Sequence, residues 1–331
     1  MEKVTIIIPA YNAQNTIKRS VLSACNQTYK NIEILIINDG SQDKTFEICK
    51  DLEKKDIRIS IRHIPNQGVS AARNVGISEA TGKFLTFLDA DDYLEPDGIE
   101  IMMQYADNTE LIIGNYLTVD IANNCRIYRH KQYFKGNSHI GTKEELPELC
   151  NSRNFHCVWG KIYRTDIIFN NHLFFDIHRD YGEDIKFNMD YFQYVERFAI
   201  LHKEVYQYCY LFGKGLGTRF INNEWEIQKE LCSLLQYKSK HIYQLSEEGQ
   251  DKLNHFYYSQ GIAVIHRIAH EKEMSIFEKK YNISKVTRST IFQDILNREV
   301  KSGRVSYVDK ILLKNGLLYV IIHDFYTKLK Y

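Results

Sequence analysis

Three carboxylates crowd into four residues at the end of a short apolar run in "FLTFLDADDYLEPDG", residues 84–98: Asp89, Asp91 and Asp92. Like charges this close to a packed strand end repel one another unless they are solvated or offset. The Asp-x-Asp spacing aims alternate carboxylates at one hard cation. Mg²⁺ and Mn²⁺ take oxygen ligands of this kind, commonly one or two carboxylates completed by substrate phosphates. A further acid, Asp39, closes a second apolar run, "IEILIIND". An Asp just beyond a buried strand can accept hydrogen bonds from a ribose hydroxyl or a base edge.

The elements that must position these acids follow from the apolar periodicity. "VTIIIP" is β-branched and continuous, as in a strand buried on both faces. Ile17, Val21, Leu22 and Cys25 then recur at helical spacing. "IEILIIND" reads as a second buried strand, and "DKTFEICKDLEKK" as a helix with an N-cap at Ser41 or Asp43. "IRISIRHI" alternates like a more exposed strand, and "GVSAARNVGISEATG" predicts a helix closed by Gly82. "FLTFLD" and "LIIGNY" add further strands. Strand and helix in alternation predict an α/β fold with a parallel sheet over residues 1–116. Ligands of such sheets bind at the C-terminal strand ends, so this topology gathers Asp39, Asp89 and Asp91 around one crevice. Neither GxGxxG nor GxxxxGK[ST] occurs, which disfavours a Rossmann dehydrogenase and a P-loop NTPase.

"VTIIIPAYN", "INDGSQDKT", "NQGVSAARNVGISEATGKFLTFLDADD" and "GED" together resemble the inverting GT-A glycosyltransferases of family 2. The resemblance is close over residues 3–115 and thins out towards 219. It implies a Rossmann-like nucleotide-binding, mostly parallel mixed sheet flanked by helices, a nucleotide-diphosphate sugar donor (usually UDP-linked) and a divalent cation, Mn²⁺ or Mg²⁺. Carried over by position, Pro9, Tyr11 and Asp39 line the nucleoside pocket. Arg73 lies near the diphosphate or Asp89, Asp89 reaches the ribose and donor sugar, and Asp91 ligates the metal. Asp184 is the catalytic base with Glu183 beside it, and Trp159 and Lys161 fall where such enzymes shape the acceptor side. Leu211 stands where the family commonly has a basic residue, which leaves Arg219, in "GLGTRF", to take over phosphate contact. The scheme is chemically coherent. A single displacement needs a base on the face opposite the leaving diphosphate, and the cation offsets charge growing there.

Each assignment has a plainer reading. Asp39 can cap a helix, Asp92 can be a turn residue, and Asp184 can simply be an acid in the first turn of a helix. Arg73 can be a structural ion-pair partner, Trp159 core, and Tyr206, Tyr208 and Tyr210 the packed face of a strand. His266 and His270 lie four apart but lack the HExxH glutamate, so they read as ordinary surface or core histidines.

The bulk composition sets the outer limits. The chain has 331 residues, 44% hydrophobic and 26% charged, with net charge +1, which gives no reason to expect nucleic acid. Seven scattered cysteines without a CxxC fit a reduced, cytoplasmic protein. The first apolar run is too short and lacks the basic leader of a signal peptide. The expected domains are a catalytic one over 1–219, divided at 116/117 into donor and acceptor halves, and a helical extension over 220–331. The C-terminal segment has one apolar face and carries Lys310, Lys314, Lys328 and Lys330. It is read first as packing on the core or on another subunit, and second as resting on the inner face of a membrane. The acceptor is expected to be a hydroxyl of a glycan, glycoprotein or lipid-linked molecule of bacterial surface type. A sugar-phosphate nucleotidyltransferase and a non-catalytic nucleotide-sugar-binding subunit are the competing readings.

Overall fold

The computed structural model describes residues 1–120, 126–129, 134, 136–152, 154–179, 181–210, 221, 223–313, 315, 316, 318 and 320. The chain forms two compact units, 1–215 and 216–331. In the first, β1 (Val4–Ala10), α1 (Ile17–Cys25), β2 (Ile32–Asp39), α2 (Thr45–Glu53), β3 (Ile59–Ile64), α3 (Val69–Glu79) and β4 (Phe84–Phe87) alternate. Then follow β5 (Tyr93–Leu94), α4 (Gly98–Met103), β6 (Leu111–Asp120), β7 (Arg126–Arg129) and β8 (Ser138–Thr142). The unit continues with α5 (Leu146–Asn151), β9 (Lys161–Arg164), α6 (Thr165–Asn170), α7 (Glu183–Phe192) and β10 (Arg197–Tyr210).

All these strands join one sheet in the order β3-β2-β1-β4-β9-β6-β10-β5, with β7 beside β6 and β8 beside β10. β3, β2, β1 and β4 are parallel. β9 enters antiparallel between β4 and β6, and β10 returns parallel to β6. The parallel reading therefore holds for the first four strands, and the sheet turns mixed beyond them. β1 is buried at every position, as its unbroken apolar run requires. β3, whose polar residues alternate, forms the sheet edge.

Local chemistry refines one buried face and two boundaries. The buried stripe of α1 is Ile17, Ser20, Val21 and Ala24, whereas Leu22 points outward. α2 starts at Thr45, whose backbone N–H donates to Asp43 Oδ1 (2.9 Å); Ser41 Oγ instead accepts from Asn12 N. Gly82 does not close α3. That helix ends at Glu79 where Ala80 turns extended, and Gly82 is needed because a Cβ there would lie 2.7 Å from Thr5 N and Phe84 O.

Gly76 is a second close approach, because a Cβ there would meet Ile7 Cγ2 at 2.3 Å. Gly76→Ala gains about 1 kcal/mol of helix propensity, but forcing α3 off β1 costs about 1–3 kcal/mol. Net destabilisation is expected, seen as a lower denaturant midpoint with unchanged slope.

The second unit is helical: α8 (Glu224–His241), α9 (Glu247–His270), α10 (Ile276–Thr287), α11 (Thr290–Lys301) and α12 (Tyr307–Leu313). α9 packs against α8, α10 and α11. It buries Leu253, Phe256, Tyr257, Val264, Ile265 and Ile268, a helical stripe. Glu299 is fully buried and held by Arg304 and by His255 Nδ1 (2.8 Å). No described helix is long and apolar enough to cross a membrane.

Candidate active site

The parallel strands deliver their acids to one edge of the sheet. β2 and β4 both neighbour β1, so Asp39 at the end of β2, Pro9 and Tyr11 at the end of β1 and Asp89 just beyond β4 lie at adjacent strand ends. Pro9 is buried and Tyr11 is 48% exposed. Asn12 N donates to Ser41 Oγ (3.0 Å) and Gln42 N donates to Asn12 Oδ1 (2.9 Å), which clasps the first two strand ends together. Asp39 is buried and caps no following helix. Its two oxygens accept from Gln67 N (2.8 Å) and Gly68 N (2.9 Å), tying the end of β2 to the loop before α3.

Arg73, on the buried face of α3, gathers the other acids. Its Nη2 donates to Asp89 Oδ1 (3.1 Å), and its Nη1 donates to Asp184 Oδ1 (2.7 Å) and lies 3.5 Å from Glu183 Oε1. The guanidinium sits over the Phe175 ring, 5.3 Å from its centre. The Asn74 side chain fixes Phe175 from both sides, accepting from Phe175 N (2.7 Å) and donating to Phe175 O (2.8 Å). Gly182, at φ 76°, turns the chain so that Glu183 and Asp184 open α7. The two acids therefore do sit in a first helical turn, yet they face Arg73 across the fold.

One guanidinium shared among three carboxylates does not balance them. Burial pushes the Asp184 carboxyl up to about 7; Arg73 opposes this, while Glu183 and Asp89 add to it. Burial also lowers the tendency of Arg73 to stay charged, but the three acids more than reverse that and hold its proton more firmly. Asp184 Oδ2 has no hydrogen-bond partner among the described residues.

The residues of "DADD" separate in role. Asp92 is 1% exposed and accepts from Tyr206 Oη (2.8 Å) and from Cys209 N (2.7 Å), clamping the turn to β10. Its carboxyl is held well above the usual range by burial, then by Asp89 and Asp91. Asp92 is thus a buried cross-strand clamp rather than an open turn residue. Asp91 faces solvent in the recess, with no side-chain donor or ion-pair partner among the described residues. Partial desolvation there, and then Asp89, raise its carboxyl, with Arg19 opposing. Arg19 Nη2 also donates to the Asp91 carbonyl, holding the turn in place.

Trp159 and Lys161 are both buried. Trp159 is 9% exposed, stacked on Tyr206 (4.6 Å, 10°) and edge-on to Tyr116. Tyr206 and Tyr208, on one face of β10, both lie against its ring, which is the packed reading of that tyrosine run. Lys161 is 1% exposed and donates to Cys157 O (2.6 Å). Arg219 lies outside the described residues, as does Leu211. His266 and His270 stack on one face of α9, and no described group of three or more His, Cys, Asp or Glu is arranged as a metal cage. The Phe175 and Asn74 support of Arg73 and the clamp partners of Asp92 escaped sequence reasoning, because nothing local marks contacts 101 to 117 residues apart.

Comparison with known proteins agrees with this architecture. Residues 5–169 match the family described as Glycosyl transferase family 2. The chain is 33% identical over 233 residues to the glycosyltransferase GlyA of Streptococcus pneumoniae, covering 68% of this chain but 32% of that protein. It is 33% identical over 209 residues to the uncharacterized glycosyltransferase EpsJ of Bacillus subtilis, covering 62% of this chain and 60% of that one. It therefore spans about a third to three fifths of the length of these relatives. TarS 1-349 of S. aureus, solved in complex with UDP-GlcNAc, superposes with a TM-score of 0.72 at 21% identity, over 97% of this chain and 88% of TarS 1-349. That likeness establishes the GT-A fold.

Proposed function

Because its residues 5–169 belong to glycosyl transferase family 2, we propose that this chain transfers a sugar from a UDP-sugar to a hydroxyl of a glycan, glycoprotein or lipid-linked acceptor in surface glycan assembly, by a single inverting displacement. The observation that carries the reading is the Arg73 cluster. It joins Asp89, beside the expected donor pocket, to Asp184 on a separate element, leaving one Asp184 oxygen free of partners among the described residues. The UDP-GlcNAc complex of the similarly folded TarS 1-349 supports the donor class.

In this scheme Tyr11 and Asp39 bind the nucleoside beyond Pro9, and Arg219 takes a phosphate. Asp89 holds the ribose and sugar while anchored by Arg73. Asp184 Oδ2 accepts the proton of the acceptor hydroxyl as that oxygen attacks the anomeric carbon, on the face opposite the departing diphosphate. Glu183 maintains the negative field that raises Asp184, and the buried Trp159 and Lys161 keep the surrounding fold rigid. A divalent cation, Mg²⁺ or Mn²⁺, fits the donor set. Asp91 offers an accessible carboxylate in an acid-rich recess, and such ions commonly use one or two carboxylates together with phosphate oxygens. When bound there, the cation supplies charge to offset the leaving diphosphate.

A thermal-shift screen of UDP-, GDP- and CMP-sugars tests the donor class. Stabilisation by UDP-sugars alone is expected, and stabilisation only by another nucleotide would replace UDP. Asp91→Asn is expected to lower sugar-nucleotide turnover on the order of 10²-fold and to abolish its response to added Mn²⁺. A wild-type Mn²⁺ titration curve in that variant would remove Asp91 from the cation site.

A further inference from the structure

Helices α10 and α12 in the helical unit expose large apolar side chains that the fold leaves uncovered. On α10, Phe277 is 79%, Tyr281 62% and Ile276 50% exposed; on α12, Tyr307 is 67%, Val308 64% and Ile311 51% exposed. The opposite faces are ordinary core, since Ile283, Val286 and Leu313 are buried. The two helices belong to one packed body. A Cβ on Gly316, just beyond α12, would meet Ile283 Cγ2 of α10 at 2.3 Å. Isolated surface apolar groups need no explanation, but two neighbouring helices that each expose an aromatic and two further apolar side chains do.

Charge identifies the occupant. From residue 276 onward the sequence has eleven Lys and Arg against five Asp and Glu, in a chain whose net charge is only +1. Two of the described lysines lie beside the exposed rings. Lys285 Nζ lies 4.5 Å from the centre of Tyr281, and Lys310 Nζ lies 5.9 Å from that of Tyr307. The acids on the two helices are engaged in their caps, Glu278 with Ser275 and Asp309 with Ser306. A self-complementary interface between copies would need acidic groups facing these lysines, and the caps hold the local ones. Exposed aromatic and aliphatic side chains interleaved with lysine are the composition of a surface that sinks shallowly into an anionic bilayer.

We propose that α10 and α12 form a docking face for an anionic lipid surface. Phe277, Tyr281 and Tyr307 enter the headgroup region, and the lysines beside them pair with lipid phosphates. Near such a surface each lysine contributes about a fivefold gain in partitioning, and the attraction is screened within roughly 10 Å at 0.1 M salt.

The full chain is tested by flotation with vesicles of phosphatidylcholine alone or mixed equally with phosphatidylglycerol. Recruitment to the anionic vesicles only, released by 0.5 M salt, is expected. Phe277→Asp combined with Tyr307→Asp, and separately Lys280→Glu with Lys285→Glu, are each expected to lower recruitment at least tenfold with an unchanged melting temperature. Failure of the wild-type chain to float with the anionic vesicles, or recruitment of both variants equal to that of the wild type, overturns the proposal. A wild-type oligomer that becomes monomeric in the Phe277→Asp variant on sizing with light scattering also overturns it, by assigning the face to a second copy.

Discussion

Asp184→Asn is expected to lower sugar transfer on the order of 10²- to 10⁴-fold, the usual worth of a general base, while donor binding persists. Asn keeps the shape and can still accept from Arg73 Nη1, so the loss isolates proton acceptance from architecture. Wild-type activity carries a second signature. Burial, with Glu183 and Asp89 adding to it and Arg73 opposing, sets the Asp184 carboxyl at about 7. Below that pH the carboxyl already holds its proton and cannot take another; above it the base form dominates. Turnover should therefore rise tenfold per pH unit towards pH 7 and then level, with the apparent midpoint belonging to the coupled acids as a group. In Asp184→Asn the residual rate should lose this limb. Glu183→Gln, which leaves Asp184 in place, should keep most of the activity with the limb shifted to lower pH, because one neighbouring negative charge is gone. Initial rates from pH 5 to 9 for the three proteins decide the matter. If Glu183→Gln loses the activity and Asp184→Asn keeps it, Glu183 is the base.

What could be read from the sequence divides along local and distant interactions. The continuous apolar runs of β1, β2 and β4 announce strands buried on both faces, so the parallel half of the sheet and the gathering of Asp39 and Asp89 at its edge follow from periodicity. The mixed half did not, because β9 is only four residues long and the register of β10 on β6 shifts between Ile200 and Tyr206. Neither signal survives in a local pattern. Within the site, residue types indicated where charge collects but not what it touches. Asp92 resembled a turn residue until its partners, Tyr206 and Cys209, came from more than 110 positions away. For Lys161 the resemblance implies an acceptor-side place, but nothing local reveals that its ammonium donates to the carbonyl of Cys157. Gly82 resembled a helix stop because glycine commonly ends helices, and only the closeness of Thr5 reveals the other reason for it. Within the C-terminal run, Leu313 is buried. The uncovered face of α10 became visible only once the helices had been assembled.

Arg73→Met is expected to destabilise the protein by about 3–5 kcal/mol, the usual cost of removing one partner from a buried ion pair. Two contributions are lost together, and their sizes tell them apart. Stacking over Phe175 is worth roughly 0.5–2 kcal/mol, and a methionine recovers part of it by packing on the ring. The larger loss is electrostatic: Asp89, Asp184 and Glu183 keep their places in the recess with no guanidinium among them. Burial already raises the Asp184 carboxyl and Arg73 opposes this, so without Arg73 Asp184 binds its proton still more readily in the folded chain than in the unfolded one. The unfolded state then holds fewer protons, so stability falls as pH rises. The difference between variant and wild type should therefore be smaller near pH 5, where Asp184 holds its proton, than near pH 8. Urea unfolding at both values measures it. Arg73→Lys keeps one charge but loses the fork that reaches Asp89 and Asp184 at once, so it should fall between the two, with its activity reduced more than its stability. Equal stability of Arg73→Met and wild type at pH 8 would mean that solvent, and not Arg73, compensates these acids. The shared guanidinium would then no longer explain why the donor-side and base-side carboxylates meet.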